Sequence, residues 1–564
     1  MAKIKILPKL LADKIAAGEV VERPASVVKE LMENALDAGS TAIEVVIEDA
    51  GCKLIRVIDN GEGMAEDDLK LAAQRHATSK ISKDDDLNNI NTLGFRGEAL
   101  SSIAAVSFLT ITSAIRTEGT AWMIEAEGGN IKNLRQTART PGTTVEMRNL
   151  FYNTPARLKF LKSRSTEMYH ITRTVTELAL ANPGTAFRLV NNNEEIINID
   201  NSSGLSDRIN ILLGEEFSGR IIPINFHTAP LKVKGFISRA GTGCSTRKNQ
   251  HIFVNKRPVI DKTISHAIIS GYHTFLGEKQ FPLIVLFLET PPASIDVNVH
   301  PSKREIRFRE TSLLHDILVK LIKDALTQKE NLPELKPVLG AMRIRSAEQP
   351  YAQQIFEKEF FSSPVKDMGI DLSAQTVDYL HVKNTYIVSQ DKDGLIIIDQ
   401  HAAHERILFD ELLAQFKAKR IEKQKLLLPV ILHLNKAQAF LVEDCKGVFR
   451  GLGFDIEDFG GQSFTVQAYP AVLGDVNIAA VFEKTLAEIA ELDLSADTEQ
   501  RMTQILAPVA CHAAVRAHDK LSPELINALF DQLSKTASPY TCPHGRPTMI
   551  TIKWAELEKR FKRT

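Results

Sequence analysis

The sequence predicts a multidomain α+β protein, and three observations lead there. The chain has 564 residues, more than a single hydrophobic core usually serves. Short β-rich runs alternate with amphipathic helical patterns both early and late in the chain. Between those regions, 331–372 holds Pro333, Pro337, Pro350 and Pro364 with mixed charge and no sustained period, so it reads as a linker. The early region divides again, because its first set of motifs ends by about residue 161 and a new α+β pattern then runs to Lys329. The division expected is 1–210, 211–330, the linker 331–372, and 373–564.

Bulk composition narrows the class without naming a partner. Hydrophobic residues make up 44% and charged residues 25%, which suits globular domains. With 69 basic and 70 acidic residues the net charge is -1, so any nucleic-acid surface must come from local clustering. The 5 cysteines are scattered and odd in number, which argues against a disulfide scaffold and for a reducing cytosol. The first residues lack a signal-peptide apolar core, and no stretch is long and apolar enough to span a bilayer. A cytoplasmic chain without a membrane partner is expected.

The first helix is bracketed by Pro24 and Gly39. Val27, Leu31 and Ala35 form its apolar stripe, while Glu30, Asn34 and Asp37 share another face at i, i+4 and i+7. A carboxylate and a carboxamide one turn apart suit water activation and Mg²⁺ coordination, although a solvated polar face explains the same stripe equally well. A β-rich run, 53–58, then delivers Asp59-Asn60-Gly61-Glu62-Gly63. An aspartate at a strand end can accept a bond from an exocyclic amine, and glycines such as Gly63 let backbone approach a flat base. Thr78, Ser79 and Lys80 add hydroxyls and a cation. Gly94-Phe95-Arg96-Gly97 runs into a helix, where exposed N–H groups would bind phosphate. Gly142-Thr143-Thr144-Val145 reads as a turn entering a strand. The chain has no Gly-Lys dipeptide, so no P-loop competes.

The C-terminal region has its own constellation. Thr385-Tyr386-Ile387-Val388 and Leu395-Ile396-Ile397-Ile398 flank a glycine-containing turn and predict a hairpin. Its second strand delivers Asp399-Gln400-His401-Ala402-Ala403-His404-Glu405, with a helix expected over 401–416. His401 and Glu405 fall on one face with Asp399 just before the first turn, and His404 reads as surface. Cys542-Pro543-His544-Gly545-Arg546-Pro547 supplies a thiolate and an imidazole on a tight turn. Asp399, His401, Glu405, Cys542 and His544 together offer five ligands for Zn²⁺ or Mn²⁺, whereas neither half completes a site alone. Gln424-Lys425-Leu426-Leu427-Leu428-Pro429 has a glutamine, apolar anchors including Leu427, and a stiffening Pro429, which suit an extended docking peptide or a strand edge.

The order Glu-x-x-x-Asn, Asp-x-Gly-x-Gly, Gly-x-x-Gly and Gly-Thr resembles the GHKL ATPases. The strings Ile15-Ala16-Ala17-Gly18-Glu19-Val20, Arg75-His76-Ala77-Thr78-Ser79-Lys80 and Leu150-Phe151-Tyr152-Asn153-Thr154-Pro155-Ala156-Arg157 are similar to the MutL family of DNA mismatch repair proteins, as are Val254-Asn255-Lys256-Arg257 and Asp296-Val297-Asn298-Val299-His300-Pro301-Ser302-Lys303. The resemblance covers the chain outside the linker. It implies a GHKL-type ATPase α/β sandwich, a ribosomal-protein-like βαβ second domain, and an α+β C-terminal dimerisation and endonuclease domain. It implies ATP and Mg²⁺ as ligands, with Glu30 as general base, Asn34 on Mg²⁺, Asp59 on adenine and 94–97 around the triphosphate. Lys303 would reach across from the second domain to the γ-phosphate.

The same resemblance implies a homodimeric clamp in the bacterial cytosol or nucleoid that works on DNA. Its partners would be a mismatch sensor of the MutS type, the replication sliding clamp at Gln424, Leu427 and Pro429, and as a further candidate a helicase. Arg157, Lys159, Lys256 and Arg257 are the DNA contacts expected, through phosphates without base readout. Asp399-Gln400-His401-Ala402-x-x-Glu405 with the Cys542 string resembles the nicking members of the family, and Cys511 in Ala510-Cys511-His512 should lie near that site. Where the family has a further glutamate this chain has Asp410, one methylene shorter, for which an outer role is expected. Two alternatives remain: an adaptor without nuclease activity, and a chaperone-like GHKL ATPase.

Overall fold

The computed structural model describes residues 14–327 and 379–563, apart from 16, 19, 82, 84–91, 95, 118, 229–230, 245, 274, 277–279, 297–305, 391–393, 493–497, 515–519 and 562. The linker 331–372, Lys303 and Phe95 fall outside the described residues.

Proline needs no N–H in the first helical turn, so Pro24 opens the helix Pro24–Asp37, and Gly39 at φ 69° lets the chain turn away. Val27, Val28, Leu31, Met32 and Ala35 are its buried stripe. That stripe packs in one core with Ile171, Val175 and Leu178 of the helix Arg164–Ala181 and with Val45 and Ile47 of the sheet. The sheet has eight strands, in spatial order Asn130–Thr137, Ala121–Glu127, Phe108–Ala114, Gly142–Arg148, Leu54–Asp59, Ala42–Glu48, Ala186–Asn191 and Glu194–Ile199. Only the pair Ala42–Glu48 and Ala186–Asn191 is parallel. Buried and part-exposed residues alternate along Ala42–Glu48, as a sheet covered on one face requires. The result is a helix-on-sheet sandwich. Leu54–Asp59 and Gly142–Arg148 are central neighbours, so Asp59 and Thr143 come together at one sheet edge.

A second sheet runs Arg257–Pro258, Gln250–Val254, Ile284–Glu289, Leu231–Ser238, Ile221–Thr228. Gln250–Val254 and Ile284–Glu289 are parallel, joined through the helix Lys262–Tyr272, which makes a βαβ crossover. The helix Thr311–Thr327 packs on that helix at Gly271, where a Cβ would stand 2.9 Å from Ile322 Cβ.

After the linker come two smaller sheets. Tyr379–Val382, Tyr386–Gln390, Gly394–Asp399 and Met549–Lys553 form an antiparallel set. The helices Gln400–Lys417 and Pro523–Ser534 join it in one core through Ala403, Ile407, Ile526 and Leu529. Lys423–His433, Ser463–Pro470 and Asp455–Gly460 form the other set. Its core includes the helices Lys436–Gly451, Ile478–Ile489 and Thr498–Ala513. The Gln400 helix packs against both the Thr498 and the Pro523 helices, so it bridges the two cores of this region.

Candidate nucleotide and metal sites

The Pro24 helix presents Asn34 and Asp37 toward the loop that carries Gly94 and Gly97, with Glu30 one turn before Asn34 on the same helix. Asp37 anchors that loop: Oδ1 accepts from Leu93 N at 2.8 Å and Oδ2 from Gly94 N at 2.9 Å. Lys80 Nζ reaches the same place, 2.5 Å from Asp37 Oδ2 and 2.9 Å from Asn34 Oδ1. A positive centre is therefore already held between the carboxamide and the carboxylate. Mg²⁺ prefers such oxygens, and Asn34 fits it on the same grounds. Gly97, at φ 64°, lies so close to the Ala77 carbonyl that a Cβ would come within 2.6 Å of its oxygen. Arg96 lies beside it, part-buried, and Thr78 and Ser79 are exposed. Lys80 N bonds back to Thr78 Oγ1 at 3.2 Å.

Asp59 ends its strand buried, and Oδ1 alone takes three bonds: Gly61 N at 2.8 Å, Thr143 N at 3.2 Å and Ser40 Oγ at 3.2 Å. Burial raises its pKa, and those donors together with Arg139 oppose the rise without cancelling it. Oδ2 takes none of these three bonds, so a ligand amine can use it. Gly63, at φ 76°, lies against the Ala114 carbonyl, where a Cβ would collide. Arg139, which no motif pointed to, braces the pocket by donating to Asp59 O at 2.9 Å and to Thr144 Oγ1 at 3.0 Å.

Arg257 does not lie on a surface. It is buried, and its guanidinium donates to the Thr92 carbonyl at the root of the glycine loop. Burial lowers its pKa, against the attraction of Glu33, Asp37 and Glu30. The reason is local: Asn255 and Lys256 form the turn, both at positive φ, which leaves Lys256 exposed and turns the next residue inward. Lys159 is exposed, while Arg157 is part-buried and donates to Lys14 O at 3.0 Å.

In the C-terminal region Asp399 is the N-cap of the Gln400 helix, with Oδ1 accepting from His401 N at 2.9 Å and Ala402 N at 3.1 Å. Glu405, 1% exposed, is the centre of the site. Its Oε1 lies 3.1 Å from His401 Nε2 and accepts from Cys511 Sγ at 2.8 Å. Its Oε2 is buried, accepts no hydrogen bond among the described residues, and faces His544 Nδ1 at 3.9 Å. Two groups of metal-ligand type result, His401–Glu405–Cys511 and Glu405–Cys542–His544, each with its donor atoms within 4.8 Å of one another. An orphaned carboxylate oxygen beside imidazole and thiol donors is a donor set that Zn²⁺ or Mn²⁺ fits. Burial, the strongest influence on Glu405, pushes its pKa up, but bonds from His401 and Cys511 and the His401 charge outweigh it and hold the pKa at about 2. Cys542 and His544 ride a tight turn closed by Cys542 N to Arg546 O at 2.8 Å, with Gly545 at φ 78°.

Asp399 belongs to neither group among the described residues. Asp410 stands outside them, holding Arg406 Nη1 at 3.0 Å and Ala537 N at 2.9 Å. His404 corrects the surface reading. It is buried, because Gln400, His404, Ile407 and Leu408 share the inward face of the helix. Burial drives its pKa down to about 4. Gln424, Leu427 and Pro429 lie in the strand Lys423–His433, whose register slips between Lys425 and Val430, and Leu427 is 98% exposed there.

The chain is similar to known proteins along most of its length. Residues 22–150 match the family described as histidine kinase-, DNA gyrase B-, and HSP90-like ATPase, 209–327 the DNA mismatch repair protein C-terminal domain, and 380–521 the MutL C terminal dimerisation domain. The DNA mismatch repair protein MutL of Syntrophotalea carbinolica is 39% identical over 625 residues, spanning 100% of this chain and 99% of the relative. That of Geobacter sulfurreducens is 38% identical over 608 residues, with coverage of 100% and 99%. Among solved structures, the N-terminal domain of a DNA repair protein aligns at 29% identity and TM-score 0.49, covering 57% of this chain and 98% of the other. With a GHKL-type ATPase domain at one end and a MutL dimerisation domain at the other, the chain belongs to the MutL family of DNA mismatch repair proteins.

Proposed function

We propose that this MutL-family ATPase is a homodimeric clamp in the cytoplasm that nicks DNA with its C-terminal metal centre under control of the nucleotide bound at its N-terminal site. The observation that carries the nuclease reading is the buried, unbonded Oε2 of Glu405 between two ligand groups. One carboxylate shared by two cation positions suits an in-line displacement at phosphorus. His401, Cys511, Cys542 and His544 complete the ligand set, and Asp399, whose cap bonds use Oδ1, would join it through Oδ2. Bound Mn²⁺ or Zn²⁺ would supply an activated water and neutralise charge on the phosphate. The chain's own residues hold the ligands in place, and burial keeps Glu405 from competing water.

At the other end Glu30 acts as general base on the hydrolytic water, Asn34 holds Mg²⁺, and Asp59 Oδ2 accepts from the adenine amine. Asn34 and Asp37, which hold Lys80 Nζ, would hold Mg²⁺ in its place, and Lys80 would then serve phosphate. The backbone of 94–97, with Phe95 and Arg96 in it, wraps the triphosphate, and Lys303 reaches the γ-phosphate. Lys159 and Lys256 give phosphate contacts, and a mismatch sensor of the MutS type loads the clamp. The test of the nuclease is conversion of supercoiled plasmid to nicked circles with Mn²⁺. Wild type should nick and Glu405→Ala should not. No nicked product from wild type leaves an adaptor.

A further inference from the structure

Glu488 stands near the end of the helix Ile478–Ile489, an element that contributes none of the ligands named above. Its carboxylate is divided between two imidazoles, with Oε2 3.0 Å from His512 Nε2 and Oε1 3.2 Å from His544 Nε2. His512 follows Cys511 in the chain, so the two contacts reach one ligand-bearing segment of each group. The two ring nitrogens of His544 differ sharply. Nδ1 lies 3.9 Å from Glu405 Oε2, too far for a hydrogen bond but near the spacing of two ligands on one tetrahedral ion, about 3.3 Å or slightly more. Nε2 lies at hydrogen-bonding distance from Glu488.

We propose that Glu488 is a positioning residue of the metal centre: it accepts the Nε2–H of His544, so that Nδ1 is the nitrogen offered to the cation. A carboxylate behind a ligating imidazole fixes its tautomer and ring plane and raises its basicity. The second oxygen holds His512 and with it the end of the helix that carries Cys511, so the two groups keep their spacing across Glu405. Glu488 is a third exposed at its side chain, and its replacement leaves the core intact. This role rests on the metal reading above, and the test separates the two.

The test is titration of the full chain with Co²⁺, read by its visible bands and its thiolate charge-transfer absorption. Wild type should show both, and Glu405→Ala neither. Glu488→Ala should bind about 10–100-fold more weakly with shifted bands, and Glu488→Gln, whose carbonyl still accepts from His544, should recover most of the affinity. Unchanged affinity and bands in Glu488→Ala, with wild type binding normally, overturn the role of Glu488 alone. No cobalt spectrum from wild type overturns the metal reading and the role together.

Discussion

Asp59 stands at a strand end and Glu30 on a helix face, and different work is proposed for each. Oδ1 of Asp59 is committed to Gly61, Thr143 and Ser40, so replacing the carboxylate changes only what Oδ2 can accept. Asp59→Asn should therefore fold normally and lose ATP affinity by tenfold or more, because a carboxamide can turn an N–H toward the adenine amine, at a cost of about 1–3 kcal/mol. Glu30→Ala should bind ATP and hydrolyse it poorly. Equilibrium binding and phosphate release on both variants check this, and equal loss of binding contradicts the roles. His251 is buried in the second domain and burial holds its pKa at about 4, against 6.5 when unfolded. The unfolded chain then carries the extra proton, so stability is present above about pH 6.5 and falls as pH drops toward 4, by up to about 3 kcal/mol. Urea unfolding at pH 7 and pH 5 should show that loss, and His251→Leu should show a smaller one. The shared helix face of Glu30, Asn34 and Asp37 and the strand end at Asp59 were legible from spacing, while the roles proposed for them come from the family resemblance. Glu488 was not: it sits 83 positions beyond Glu405, and no spacing relates it to His512 or His544. Arg257 was misplaced because a family string does not register the inward turn after Lys256.

At the scale of elements, the Gln400 helix carries two jobs on one residue. Asp399 caps it through Oδ1, so Asp399→Ala should cost about 1 kcal/mol while Asp399→Asn, an equally good cap, should cost little. Both should lose nicking if Oδ2 serves the metal centre, and a fully active, stable Asp399→Asn would reduce Asp399 to a cap. Urea midpoints and plasmid nicking separate these outcomes. The strand Lys423–His433 bulges between Lys425 and Val430 and throws Leu427 into solvent. Leu427→Ala should keep basal nicking and lose stimulation by the sliding clamp, measured with and without clamp on relaxed circles. The hairpin here was readable from two β-rich runs, 385–388 and 395–398, on either side of a glycine-containing sequence. His404 is buried because it repeats Gln400 at i+4 and shares the inward face with the apolar Ile407 and Leu408.

At the scale of the whole chain, the two candidate sites lie on separate domains. The division into helix-on-sheet sandwich, βαβ domain and C-terminal region follows from hydrophobic period and from the proline-bearing segment. The meeting of Cys511 with Glu405 does not, because only the packing of the Thr498 helix on the Gln400 helix brings them together. With a net charge of -1, long-range attraction to DNA is weak, and binding should rest on local lysines and fall steeply with salt. The most direct measurement is the yield of nicked circles in Mn²⁺ with and without ATP, for wild type and for Asp59→Asn. ATP should change the wild-type yield and leave the Asp59→Asn yield at its basal level. Nicking that ignores ATP in wild type, or responds to it equally in Asp59→Asn, would contradict the coupling of the two sites.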